Sequence, residues 1–195
     1  MPTTLITGPV RSGKSRFAEH LAREAMGRVI YVATAAAPHP DDSEWEARLA
    51  AHQHSRPPEW EVIESAGSGR DLIEIVTTAT PESVVIVDSL GTWLAAQMGA
   101  GTIGAGDDAV ALEAALDTDC RKLDASLRSA SAHTILVSEE VGWGIVPIYP
   151  SARVFRDVLG RLHQAIAKHA ERMYLIVNGF AIDLHASGVA IAAEQ

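Results

Sequence analysis

The sequence predicts an α/β protein built on a mainly parallel sheet with helices on both faces. Short runs of Val, Ile and Leu alternate with longer amphipathic stretches along the whole chain, as in proteins whose parallel strands are joined by helices. The apolar runs are nearly continuous, as expected of strands that are buried on both faces. The first run ends in a glycine-rich turn that leads directly into a helical pattern.

The predicted elements follow one another with short connections. The strands are Thr4–Thr7, Arg28–Ala33, Val84–Asp88, Thr134–Ser138 and Tyr174–Asn178. The helices are Lys14–Met26, Glu44–His54, Arg70–Thr78, Asp107–Ser129 and Ser151–Ala170. Residues 99–106 are rich in Gly and Ala and predict a mobile loop before a helix that Asp107 or Asp108 caps. No internal repeat or linker is evident, so we expect residues 1–195 to form a single domain, with a frayed tail after about residue 185.

Composition restricts the classes of function. The chain has 16 Lys and Arg against 25 Asp and Glu, a formal net charge of -9, which argues against bulk electrostatic binding to nucleic acid or an anionic membrane. There is no signal-peptide pattern, and Asp88 interrupts the apolar stretch at residues 84–98. The single cysteine, Cys120, excludes an internal disulfide and fits a reducing compartment. We therefore expect a soluble cytoplasmic protein that binds neither nucleic acid nor membrane.

The most specific motif follows the first strand. Residues 8–15 read GPVRSGKS, which matches the P-loop pattern G-x-x-x-x-G-K-S. The glycines let successive backbone N–H groups point into one concavity, and the N-terminus of the next helix adds positive potential. We expect Lys14 to bind the β- and γ-phosphates of a nucleoside triphosphate and the Ser15 hydroxyl to bind Mg²⁺. The predicted phosphate-binding residues are Gly8, Pro9, Val10, Arg11, Ser12, Gly13, Lys14 and Ser15.

A second Mg²⁺-binding residue is predicted at Asp88, which ends the apolar run VVIVD. An acidic side chain at the end of a buried parallel strand lies at the carboxyl edge of the sheet, beside the phosphates. The alternative is that Asp88 caps a helix or turn.

A histidine lies between arginines in the segment after the second strand. Arg48, His52, Arg56 and Pro57 occur at residues 48–57, with Arg48 and His52 one helical turn apart. A neutral imidazole is a nucleophile for phosphorus, and nearby guanidinium groups hold anionic phosphate. His52 is therefore the predicted nucleophile, and His54, on a different helix face, is predicted to be solvated. No histidine spacing in the chain is typical of a zinc site.

Taken in order, these segments resemble one family, the bifunctional adenosylcobinamide kinase / adenosylcobinamide-phosphate guanylyltransferases of cobalamin biosynthesis. The resemblance spans roughly residues 4–185. It rests on TGPVRSGKS (7–15), YVATA (31–35), the R-x-x-x-H-x-x-x-R-P frame (48–57), Trp60, Glu64, VDSLGTWL (87–94), EVGWGIVP (140–147) and R-x-F-R-D-x-x-G-R (153–161).

The resemblance implies a RecA-like P-loop fold, a homotrimer and two reactions. ATP or GTP first phosphorylates the aminopropanol hydroxyl of adenosylcobinamide. GTP then transfers GMP to the active-site histidine, here His52, and the phosphorylated cobinamide takes up the GMP to give adenosylcobinamide-GDP. The further nucleotide-binding residues that the resemblance implies are Ala33, Thr34, Ala35, Arg56, Glu64 and Asp88.

The chain departs from the family pattern at several positions. Glu139 and His163 replace Asn, and Val62 replaces Thr. Contacts to substrate or metal are expected to differ at these three positions. In addition, Asp-Ser-Leu-Gly at residues 88–91 replaces Asp-Cys-Leu-Thr. Glu140 is either a general base for the cobinamide hydroxyl or a structural carboxylate. Arg153 and Arg156 have a spacing suited to phosphate or to surface salt bridges.

Two other functions remain open from the residues alone. A plain small-molecule P-loop kinase would lack guanylyl transfer and would retain no α-phosphate of GTP. A nucleotide switch would not turn over cobinamide, and the chain lacks the N/TKxD-like guanine-recognition motif of Ras-type switches.

Overall fold

The computed structural model describes residues 2–35, 56–65, 71–99 and 109–191. Within these residues the strands are β1 (Thr3–Thr7), β2 (Arg28–Ala33), β3 (Glu61–Glu64), β4 (Ser83–Asp88), β5 (His133–Val137), β6 (Arg172–Val177) and β7 (Phe180–Asp183). They form one sheet in the order β3-β2-β4-β5-β1-β6-β7. Every pair is parallel except β6 and β7. The predicted mainly parallel α/β architecture is confirmed.

The helices of the described residues are α1 (Lys14–Glu24), α2 (Leu72–Thr78), α3 (Leu90–Gln97), α4 (Ala109–Ser129), α5 (Pro150–Ala167) and α6 (Leu184–Ser187). Four of them match predicted helices to within a few residues at each end. The predicted helix Glu44–His54, most of the loop at residues 99–106 and the caps Asp107 and Asp108 lie outside the described residues. No helix in the described part is both long and apolar enough to cross a membrane.

Alternating side chains of the strands pack into two hydrophobic clusters. Leu5 and Val85 belong to one cluster, which includes buried residues of α2, α3, α4 and α5. Ile6 and Ile86 belong to the other, which includes Ala18 of α1. Since adjacent strand residues point to opposite faces, helices cover both faces of the sheet, as predicted.

Four elements are additional to the predicted ones, and one of them is the four-residue helix α6. β3 has four residues, two of them exposed, so its apolar pattern is weak. β7 is an edge strand. It is joined to β6 by Asn178 and Gly179, which both have positive φ and form a hairpin turn. The prediction that the last strand includes Asn178 is therefore wrong. α3 continues the apolar run of β4, and such a run has no periodicity that separates strand from helix.

The register of the sheet aligns the ends of four neighbouring strands. Ala33 of β2 pairs with Glu64 of β3 and with Asp88 of β4, and Asp88 pairs with Val137 of β5. β1 lies between β5 and β6 and ends at Thr7, directly before the glycine-rich turn. Residues that are far apart in sequence are thereby brought to the carboxyl edge, where ligands of such sheets bind.

Candidate active site

A cavity of about 800 Å³ opens at this edge of the sheet. Most of the residues predicted to bind nucleotide or metal lie on its wall. They are Val10, Arg11, Ser12, Gly13, Lys14, Ser15, Ala33, Ala35, Arg56 and Asp88. The structure thus brings together segments that the sequence separates by up to 78 positions.

Other predicted residues occupy supporting positions. The Thr34 hydroxyl is buried and donates to the carbonyl of Ser89, at 2.6 Å, and accepts from the N–H of Ser89, at 2.7 Å. Glu64 lies on a smaller cavity of about 310 Å³. Gly8 and Pro9 contribute backbone carbonyls, described below. His52 and Arg48 lie outside the described residues.

Backbone contacts hold the glycine-rich turn in place. The carbonyl of Gly8 accepts the N–H of Glu140, and the carbonyl of Ser12 accepts the N–H of Gly179, both at 3.0 Å. A Cβ at Gly8 would lie 2.3 Å from the carbonyl oxygen of Ile176 in β6. The main chain of the turn is therefore bound directly to the ends of β5 and β6.

The Lys14 side chain is buried and bends back over the turn. Its Nζ donates to the carbonyl of Pro9 at 2.9 Å. Burial lowers the pKa of the Lys14 ammonium, and the nearby carboxylates of Glu139, Asp88 and Glu140 oppose that shift. Anionic phosphate placed in the cavity would stabilise the charged ammonium further, since opposite charges attract strongly where water is excluded.

Asp88 is oriented by a tyrosine. The Tyr31 hydroxyl donates to Oδ2 of Asp88 at 2.5 Å, and burial, helped by the Asp88 charge, raises the pKa of Tyr31 so that it remains a donor. The N-cap of α3 is Ser89, whose hydroxyl accepts the N–H of Thr92. The alternative that Asp88 is that helix cap is therefore wrong.

Arg56 lies on the walls of both cavities. Its guanidinium carbon lies 4.0 Å from the centre of the Tyr31 ring, a cation–π distance. Its buried Nε has no hydrogen-bond partner among the described residues, and the same holds for Ser12 Oγ and Glu139 Oε2. Buried polar atoms without partners are uncommon in folded proteins, and these three belong to residues on one cavity wall.

Comparison with known proteins identifies the family. The model of the family described as cobinamide kinase / cobinamide phosphate guanyltransferase matches residues 4–184. The chain belongs to this family. The bifunctional adenosylcobalamin biosynthesis protein CobU of Salmonella typhimurium is 34% identical over 92% of this chain and 98% of its own. The similarly named CobP of Pseudomonas aeruginosa is 35% identical over 92% of this chain and 95% of its own.

Solved structures give the fold class. A prototypical ATPase from the type III secretion system of pathogenic bacteria superposes with a TM-score of 0.56 at 11% identity, over 97% of this chain. This chain spans 59% of that ATPase chain. The predicted P-loop nucleotide-binding fold is confirmed, and family membership supports a kinase and nucleotidyltransferase over the plain kinase that the residues alone left open.

Three of the departures from the family pattern, Glu139, Val62 and His163, lie in different surroundings. Glu139 is on the wall of the large cavity and Val62 on that of the small one. His163 is buried in α5, and its Nε2 lies 2.7 Å from Ser138 Oγ; burial lowers its pKa to about 4. Oε1 of Glu140 lies 3.9 Å from Nδ1 of His163, and both alternatives for Glu140 stay predictions.

Arg153 and Arg156 of α5 donate to backbone carbonyls of the preceding loop, and neither forms a salt bridge among the described residues. Arg156 donates to the carbonyls of Ile145 and Gly142, at 3.0 and 2.9 Å. Arg153 donates to the carbonyls of Pro147 and Ile148, at 3.0 and 2.6 Å. The two guanidinium groups thus hold the loop at residues 142–149, and phosphate binding by them stays a prediction.

Sequence reasoning missed several residues of the site. Tyr31 occurred within a quoted motif but was given no function. Asn178 and Gly179 lie on the wall beside the phosphate turn. Asn178 was predicted to end the last strand, and Gly179 was placed in no predicted element. An Asn-Gly pair between two apolar runs is a hairpin signal, and it would have placed both residues in a turn at the correct edge.

Proposed function

We propose that this protein phosphorylates adenosylcobinamide with ATP or GTP and then transfers GMP from GTP to the product through a covalent GMP-histidine at His52. The observation that carries the proposal is the cavity that gathers the phosphate turn, Lys14, Arg56 and Asp88 in a member of this family. In the first step the turn N–H groups and Lys14 bind the triphosphate and neutralise charge that develops on it.

Mg²⁺ is the metal that the site fits. The Ser15 hydroxyl and the Asp88 carboxylate both line the cavity, and Mg²⁺ binds proteins through one or two such oxygen ligands together with substrate phosphates. Tyr31 holds one oxygen of Asp88, which fixes the direction of the carboxylate. When bound there, the metal would neutralise phosphate charge, while the chain positions the two ligands.

The second reaction proceeds in two displacements at the α-phosphorus of GTP. A nitrogen of neutral His52 forms a P–N bond as the bond from the α-phosphorus to the bridging oxygen breaks, and pyrophosphate leaves with the electron pair. A phosphate oxygen of the cobinamide phosphate then attacks the same phosphorus, the P–N bond breaks and the imidazole is regenerated. A neutral nucleophile avoids direct repulsion between two polyanions.

Labelled GTP tests this proposal. We predict that GTP labelled at the α-phosphate marks the protein on His52, whereas γ-labelled GTP leaves no mark. The bond should be labile in acid and persist in base, like a phosphohistidine. His52→Ala should lose the label and guanylyl transfer but retain kinase activity, and Lys14→Ala should lose both reactions because each needs the triphosphate bound.

His54→Ala is the matched control, since it removes the neighbouring histidine and should keep the label. Peptide mapping of the GMP to His54 or to a lysine would contradict the choice of nucleophile. If wild-type protein takes up no α-label but phosphorylates adenosylcobinamide, the plain kinase is the correct function.

The homotrimer and the single domain also remain proposals. Exposed apolar side chains at residues 142–149, including Trp143 and Ile145, support an assembly that covers them. The pairing of β1 with β6, from opposite ends of the chain, supports one domain.

A further inference from the structure

The two proposed reactions differ in one chemical requirement. The nucleophile of the kinase step is a hydroxyl, which must lose a proton as its oxygen bonds to phosphorus. The nucleophiles of guanylyl transfer are a neutral imidazole and a phosphate anion, and both present a lone pair without first losing a proton. A general base is therefore useful in the first reaction and has no substrate proton to accept in the second.

Glu139 has the position that such a base requires. It follows β5 directly after Ser138 and lies on the wall of the large cavity with Lys14 and Asp88. The side chain is packed against α3, because a Cβ at Gly91 would lie 2.1 Å from its Oε2. That oxygen is buried and has no hydrogen-bond partner among the described residues. The Ser89 side chain also hydrogen-bonds to the carboxyl group, so the group is held in place while one of its two oxygens keeps its hydrogen-bonding capacity.

The other carboxyl groups near the phosphate turn are engaged elsewhere. Asp88 accepts the Tyr31 hydroxyl and is the proposed metal ligand. Glu140 lies beside His163 and is not among the residues that line the cavity, and its N–H is bound by Gly8. Of the acidic residues that the structure describes on this wall, Glu139 is the one left without a function.

We propose that Glu139 is the general base of the kinase step and takes no part in guanylyl transfer; this inference rests on the proposed two-step function. The hydroxyl oxygen of adenosylcobinamide bonds to the γ-phosphorus and its proton moves to the Glu139 carboxylate. The bond from the γ-phosphorus to the β–γ bridging oxygen breaks, and the nucleoside diphosphate leaves with the electron pair. Glu139 then releases the proton to solvent.

The test measures the two steps separately in full-length protein. The first assay follows phosphorylation of adenosylcobinamide by ATP. The second starts from adenosylcobinamide phosphate and GTP, and is accompanied by α-label uptake from GTP without corrinoid. Glu139→Gln, which keeps the shape and removes the base, is expected to slow the first assay by about 100-fold or more. The second assay and the label should stay within about twofold of wild type, which also shows that the variant is folded.

Two further variants make the test decisive. Glu139→Asp restores a carboxylate on a shorter arm and should recover part of the kinase rate lost in Glu139→Gln. Glu140→Gln removes the adjacent carboxylate and should change both steps by the same factor. If Glu140→Gln slows the kinase step and leaves guanylyl transfer unchanged, the general base is Glu140 and the proposal is overturned.

Other outcomes overturn the proposal for different reasons. An equal loss of both steps in folded Glu139→Gln, as judged by its thermal unfolding, would mean that the residue serves the shared nucleotide site. An unchanged kinase rate would mean that the step needs no base at Glu139. Failure of the wild-type protein in either assay would instead refute the proposed function.

Discussion

Two loops that follow neighbouring strands of the sheet are held in opposite ways. Residues 8–13, after β1, are held by their main chain, through the carbonyls of Gly8 and Ser12. Residues 142–149, after β5, are held by side chains of α5, because Arg153 and Arg156 donate to four of their carbonyls. The first loop lines a cavity, and the second exposes apolar side chains.

The difference shows which positions in each loop tolerate change. Where backbone packs on backbone, a glycine is required at each position whose Cβ would clash with a carbonyl oxygen. A backbone oxygen cannot move away from the added Cβ as a flexible side chain can. Where side chains hold the loop from a helix, the loop glycines face open space and the arginines carry the constraint. The two loops should therefore respond differently to the same substitution.

The largest effect is expected from alanine at a glycine of the first loop. Gly8 has φ +152°, and a Cβ there would lie 2.3 Å from a backbone oxygen. Gly8→Ala should therefore lower the free energy of unfolding by roughly 4 kcal/mol. Backbone strain and overpacking contribute about 2 kcal/mol each to this value. Gly142→Ala is the matched change in the second loop, where nothing lies within 4 Å of the added Cβ. It should stay within about 0.5 kcal/mol of wild type.

Urea unfolding of both variants provides the measurement, and binding of a nucleotide to Gly8→Ala provides a second one. Similar losses of stability in the two variants would mean that the loops are held alike, contrary to the comparison.

α5 holds the second loop, and its buried histidine gives a pH-dependent prediction. The ordinary pKa of histidine, about 6.5, describes His163 in the unfolded chain, whereas burial lowers its pKa to about 4 in the folded protein. Above pH 6.5 His163 is neutral in both the folded and the unfolded state, so its burial contributes fully to stability. Between pH 6.5 and 4 the unfolded chain binds more protons, so stability falls on acidification by about 3 kcal/mol in total.

His163→Asn should flatten this part of the stability curve, measured as the urea midpoint at pH 7, 6, 5 and 4. His20→Asn, at an exposed histidine of α1 paired with Glu24 at 3.5 Å, serves as the control and should keep the wild-type slope. An equal slope in wild type and His163→Asn would show that the buried imidazole does not titrate in this way.

The two loops also differ in how much of them the sequence predicted. The phosphate turn was predicted residue by residue, because a strand, a fixed glycine spacing and a helix start give a local signal. β2, Arg28–Ala33, was predicted to its exact bounds since its apolar run stops sharply. The loop at residues 142–149 was recognised only as a motif, because its constraint comes from guanidinium groups 5 to 14 positions away on a different element.

The same reason explains the missed site residues. The contact between Tyr31 and Asp88 joins two strands across the sheet, and no sequence spacing encodes it. Glu139 was noticed as a departure from a family pattern, but its burial against Gly91 depends on how α3 packs beside β5. The outcome for His52 rests on experiment, since it lies outside the described residues.

The smallest expected effect concerns Arg156 and tests how the second loop is held. Its guanidinium spans the carbonyls of Gly142 and Ile145, a geometry that the compact ammonium of lysine does not reproduce. Both Arg156→Ala and Arg156→Lys should therefore loosen the loop by about 1 kcal/mol, while global stability changes by less than about 0.5 kcal/mol because the contact is exposed. Chymotrypsin cleavage after the exposed Trp143 should then rise about fivefold relative to cleavage elsewhere, since proteolysis follows the population of the open form. If chymotrypsin instead cleaves Arg156→Lys at the wild-type rate, positive charge alone holds the loop. The difference between this loop and the phosphate turn is then one of electrostatics and not of geometry.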